Sequence, residues 1–95
     1  MKAVQISDYG GRENLALSDV DVPTPREGEA LVQLDYAGIN FIDVYMRQGD
    51  YRNSSTYGTP LPFTLGMEGA GTIVDPNGAK GISIGNRVAY CLSRG

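Results

Sequence analysis

The stretch Ala30–Gly49, ALVQLDYAGINFIDVYMRQG, places a strand pattern directly before a helix pattern. Ala30, Val32, Leu34 and Tyr36 fall on one face of an extended chain, while Gln33 and Asp35 point the other way. The period then changes. Asn40 is a good N-cap type, Asp43 follows three residues on, and Gly49 sits where a helix commonly ends in a left-handed residue. This predicts a helix from Asn40 to Gln48, with Asp43 and Arg47 as an acid-before-base pair one turn apart. Phe41, Ile42, Val44, Tyr45 and Met46 make it apolar around most of its girth, which predicts packing on several sides.

Upstream, Lys2–Ile6 and Leu15–Val22 read as strands, with Asp8-Tyr9-Gly10-Gly11 as a turn after the first. Pro23–Glu29 is a rigid polar loop with strands on both sides, so it reads as a loop within the domain. Downstream, Asp50–Pro62 is loop-like, and Gly66–Val74 carries three glycines and ends in Ile73-Val74. Asp75-Pro76-Asn77-Gly78 and Gly85-Asn86 are turn signals, the second leading into a strand at Arg87–Leu92. Thirteen glycines and five prolines in 95 residues suit many short elements and tight turns. The expected fold is mainly β, with one short helix, in one domain at most. The chain stops at Leu92-Ser93-Arg94-Gly95 with no closing element, which predicts a piece of a longer protein or a chain with missing partners.

Composition narrows the chemistry. Charged residues are 20% and hydrophobic ones 41%, the balance of a globular chain. A net charge of -3 argues against nucleic-acid binding. No apolar run is long enough for a membrane helix, and Met1–Asp8 lacks the apolar core of a secretory leader, so the expected location is cytoplasmic. There is no histidine and a single cysteine, Cys91. An internal disulfide, a Cys/His zinc site and a histidine-activated nucleophile therefore cannot be built from this chain.

The glycine cluster Gly66-Met67-Glu68-Gly69-Ala70-Gly71 invites a phosphate-loop reading. The dinucleotide fingerprint needs the reverse spacing and a following helix. A strand with close backbone approach or a bulge is the favoured reading. Asn40 and Asp43 fit a capping box, which is compatible with a site because a helix N-terminus gathers N–H donors. The tyrosines Tyr9, Tyr45, Tyr51 and Tyr57 read first as amphipathic packing residues. Glu68 reads as either buried and paired or solvated, and Cys91 as a small buried hydrophobe.

Three segments together resemble the quinone oxidoreductase, or zeta-crystallin-like, branch of the medium-chain dehydrogenase/reductases. They are Ala37–Gly49 (AGINFIDVYMRQG), Pro62–Gly71 (PFTLGMEGAG) and Gly85–Tyr90 (GNRVAY). The last has Asn86 where the branch usually has Asp, and Met67 stands where a smaller β-branched residue is common. The resemblance implies that residues 1–95 form the N-terminal part of a GroES-like, alcohol dehydrogenase-like substrate domain, a partly open β-barrel with a helix at its side. It implies NADPH bound mainly by a Rossmann-type domain absent from this chain. It leaves open a homodimer of the complete protein.

The zinc-dependent alcohol dehydrogenases of the same superfamily have Cys and His where this chain has Asn40 and Met67. The resemblance therefore implies no metal. It places Asn40 near the nicotinamide and the acceptor, with Tyr45 and Tyr51 lining the pocket. Tyr51 stands where related enoyl reductases carry a proposed tyrosine acid. Asp43 and Thr64 are the further cofactor-side residues, Asp43 also orienting its neighbours or capping the helix. The implied reaction is hydride transfer from NADPH to a quinone or related conjugated carbonyl. An enoyl-thioester reductase and a non-catalytic barrel-like module are the alternatives.

Overall fold

The computed structural model describes residues 1–92; the reading of the terminus at 93–95 lies outside them. The elements run β1 (Lys2–Ile6), a 3₁₀ turn (Arg12–Asn14), β2 (Ala16–Asp19), β3 (Leu31–Gly38), α1 (Phe41–Gln48), β4 (Phe63–Thr64), β5 (Glu68–Asp75) and β6 (Arg87–Tyr90). The strands make two antiparallel three-stranded sheets, ordered β2-β1-β4 and β3-β5-β6. The architecture is thus mainly β with a single α-helix, and no closed barrel forms among the described residues.

The chain divides into two compact units. The first comprises Met1–Asp21 and Ile39–Gly66; the second comprises Val22–Gly38 and the residues from Met67 onward. In the first unit β1 is the central strand, Val4 opposite Leu17 and Ile6 opposite Phe63. Ile6 and Met46 are fully buried there, with Phe63 close behind. Lys2 pairs with Asp19 directly across the ladder, Nζ to Oδ2 at 2.7 Å.

In the second unit β5 is central, and Gly69, Gly71 and Ile73 form its buried face. Gly71 has a plain steric reason to be glycine. A Cβ there would stand 2.0 Å from the Gln33 carbonyl oxygen of β3. The glycine cluster is therefore a strand with close backbone approach, as its spacing indicates. A bulge lies opposite it, because Leu34 pairs with Gly71 and Tyr36 with Ala70, leaving Asp35 as the extra residue.

That bulge corrects one expectation. Successive β5 residues face opposite sides, so Leu34 and Tyr36 do too, and Ala30, Val32, Leu34 and Tyr36 do not all share a face. Tyr36 is 73% exposed.

The polar loop before β3 is latched to the turn after β5. Pro76-Asn77-Gly78-Ala79 closes with Ala79 N–H donating to Pro76 O at 2.8 Å, with φ 43° at Asn77 and 82° at Gly78. Positive φ at both central residues is what Asn-Gly supplies. Asn77 Nδ2 then donates to Pro25 O (3.2 Å) and Arg26 O (2.7 Å), and Gly28 N–H donates to Asn77 O at 2.8 Å. Asn86 keeps the turn chemistry expected of it, its Oδ1 accepting from Ser83 N–H at 2.8 Å.

Candidate functional site

The helix that carries the candidate residues starts and stops where its sequence dictates. Asn40 is extended (φ -134°, ψ 162°) and caps α1, with Asp43 completing the capping box. Asn40 N–H donates to Asp43 Oδ2 at 2.9 Å. At the other end Gly49 has φ 90°, and the N–H groups of Gly49 and Asp50 donate to Met46 O and Tyr45 O, both at 3.0 Å. These two bonds make a Schellman motif.

Asp43 is buried, and its second oxygen, Oδ1, has no hydrogen-bond partner. Its role in the structure is the cap: one carboxylate oxygen holds the backbone at the entrance to the helix.

The helix is not packed on all sides. Asp43 and Met46 are buried on one face, while Phe41, Tyr45 and Gln48, at i, i+4 and i+7, form an open stripe. The apolar girth thus overstates the packing: Phe41 is 79% exposed and Tyr45 43%. Ile39, on the other side of Asn40, is 91% exposed. Asn40 is itself exposed, so an amide-bearing residue is bracketed by two uncovered apolar side chains.

Tyr51 lies beyond the opposite end of α1, a helix about 12 Å long at the standard rise. It is half-buried, and its ring meets that of Tyr57 edge-on, centroids 5.7 Å apart and planes at 64°. The structure thus brings Asn40 and Asp43 together, puts Tyr45 on the open stripe, and sets Tyr51 in a separate aromatic pair. Thr64 lies on β4, its Oγ1 accepting from Gln5 Nε2 at 3.0 Å.

One reading of a single residue is corrected. Cys91 is exposed, not buried. The strand ends at Tyr90, one residue short of it, so no strand neighbour covers the thiol. Glu68 is half-buried, in register with Gly38. The Tyr51–Tyr57 contact and the exposure of Ile39 and Phe41 were not read from the sequence. The apolar residues on both sides of a helix cap were the available signal for the second. Among the described residues no three His, Cys, Asp or Glu side chains gather as a metal-holding group. No described helix is long and apolar enough to cross a membrane.

The family model of the alcohol dehydrogenase GroES-like domain matches residues 26–95. A quinone oxidoreductase of Lama guanicoe is 40% identical over 74 residues, covering 77% of this chain and 21% of the relative. That of Pongo abelii is 37% identical over 90 residues, covering 93% and 26%. The solved Escherichia coli quinone oxidoreductase, in complex with NADPH, superposes with a TM-score of 0.83 at 35% identity, covering 96% of this chain and 27% of that one. The chain thus spans about a quarter of the length of these relatives. It belongs to the alcohol dehydrogenase GroES-like domain family, in the quinone oxidoreductase branch of the medium-chain dehydrogenase/reductases.

Proposed function

We propose that this chain is the N-terminal, acceptor-side part of a cytoplasmic NADPH-dependent quinone reductase that works without zinc. The supporting observation is the exposed Asn40 between uncovered Ile39 and Phe41, with Tyr45 on the same open stripe as Phe41. A planar ring carrying a carboxamide fits such a surface, since apolar side chains meet its faces and an amide its polar edge. Asn40, Asp43 and Thr64 are the residues assigned to the cofactor side.

NADPH, when bound, supplies a hydride. The chain's own groups then handle the charge and the proton. Reduction of a quinone ring leaves negative charge on an oxygen, and the Asn40 side-chain N–H donates to it, doing the work otherwise given to a metal ion. The Tyr51 hydroxyl supplies the proton, and Tyr45 lines the acceptor pocket. Neither the Asn40 carboxamide nor the Met67 thioether is a good zinc ligand, so chelators should leave the rate unchanged.

The reading is tested by assaying the complete enzyme with NADPH and 1,4-quinones beside enoyl-thioesters. Faster turnover of quinones is expected; equal or faster turnover of thioesters overturns the choice of acceptor. Asn40→Ala should lower kcat by about a hundredfold, the usual cost of losing one donor to a developing oxyanion.

A further inference from the structure

We infer that Tyr57 is the positioning residue that fixes the phenol of Tyr51. Its catalytic consequence rests on Tyr51 being the proton donor; its structural content does not. Tyr51 lies past the end of α1, in a segment without regular structure, so no helix or sheet ladder orients its ring. The edge-on contact with Tyr57, centroids 5.7 Å apart, supplies that constraint.

Tyr57 is itself tied down at both its N–H and its carbonyl. Its N–H donates to Ser54 Oγ at 2.9 Å, which also accepts from Thr56 N–H at 3.2 Å. Ser54 N–H in turn donates to Tyr51 O at 2.9 Å, which closes the loop on the residue to be positioned. The Tyr57 carbonyl accepts from Thr59 Oγ1 at 3.2 Å. Thr59 is fully buried, and its carbonyl accepts from the Tyr9 hydroxyl, whose ring lies 5.8 Å from the Arg52 guanidinium carbon. The loop runs close enough that a Cβ on Gly58 would come within 2.8 Å of Ser54 O. No bond involves the Tyr57 hydroxyl among those that fix it, so the ring and not the phenol oxygen is what the position requires.

A phenol donates a proton in a transition state only when its oxygen is held within hydrogen-bond reach of the acceptor. Freed from Tyr57, the Tyr51 ring loses that edge-on contact and gains freedom about its first side-chain bond. The substitutions Tyr57→Phe and Tyr57→Leu separate ring from hydroxyl, because Phe keeps the edge-on contact and Leu loses it.

The test has two arms. In proton NMR spectra of the full chain, the Tyr51 ring signals should carry a ring-current shift that Tyr57→Leu removes and Tyr57→Phe keeps. In the complete enzyme, Tyr57→Leu should lower kcat about tenfold with KM nearly unchanged, and Tyr57→Phe should restore it. Tyr57→Leu should cost nothing further in a Tyr51→Phe background. Should Tyr57→Leu fail to fold, Ser54→Ala, which removes the acceptor of the Tyr57 N–H, should give a partial loss of the same shift. An unaltered Tyr51 shift in Tyr57→Leu overturns the inference, as does the same fold-loss of kcat with and without the Tyr51 hydroxyl. Should Tyr51→Phe alone leave kcat intact, the proton-donor reading fails, and the ring-current arm still decides whether Tyr57 holds Tyr51.

Discussion

Gly69 and Gly71 lie two residues apart on the buried face of β5, yet a methyl group added at each meets a different kind of neighbour. At Gly71 the first atoms met are backbone: Gln33 O at 2.0 Å and Leu34 Cα at 2.9 Å. At Gly69 they are side chains: Leu34 Cδ2 at 2.7 Å and the Tyr90 hydroxyl at 2.8 Å. Side chains can turn aside, whereas a paired strand yields only by giving up its ladder. Gly71→Ala should therefore lower stability by about 3 kcal/mol or more, at the upper end of overpacking costs. Gly69→Ala should cost clearly less. Urea midpoints of the two variants decide the matter, and an equal loss would refute the distinction. The sequence allowed this much to be read, since glycines before an apolar run without a following helix already spoke for a strand. Which glycine bears the steric load was not legible, because that depends on the Asp35 bulge in another strand.

Capping residues made α1 the most legible element, because a helix end must satisfy its own N–H and C=O groups with nearby residues. Asn40, Asp43 and Gly49 all do what their types suggest. Gly49→Ala should cost about 1–2 kcal/mol, the usual penalty for a side chain in the left-handed region. It also places Cβ 3.0 Å from Tyr9 Cγ. Helix packing was less legible, since an apolar residue is needed equally by a core and by an open surface, and periodicity alone cannot separate Met46 from Phe41. The same limit applies to the turn at Asn77. Its Asn-Gly signature fixes the turn, but not the latch that its side chain makes to Pro25 and Arg26. Asn77→Gly should keep the turn and lose the latch. Asn77→Asp should be worse, because it sets an acceptor against two carbonyl oxygens where a donor stood. The expected gap between them is about 1–3 kcal/mol, the cost of unsatisfied polar groups. Proteolysis within the loop 23–29 should follow the same order.

At the scale of the molecule, the candidate site is legible in part because its chemistry is spread among neighbours in sequence. The Asn40–Asp43 pair lies within one helical turn, whereas the tie between Tyr51 and Tyr57 runs through a loop of turns that no periodicity reveals. Charge and backbone together then limit what the chain can bind alone. A dinucleotide brings several negative charges, and this chain already carries a net -3. Phosphates bind where unpaired N–H groups converge, usually at a helix N-terminus. The glycine-bearing strand β5 lies between two strands and pairs with both. The first turn of α1 already holds the carboxylate of Asp43, which takes up the Asn40 N–H and repels a second anion. In the function proposed above, the surface around Asn40 takes the uncharged ring of the nicotinamide, and the phosphates fall to another part of the complete protein. Titration of the 95-residue chain with NADPH should accordingly show no saturation below about millimolar, equivalent to no more than about 4 kcal/mol of binding. Saturable binding at micromolar NADPH would mean that the chain holds a phosphate site, and the division of labour proposed for it would have to be given up.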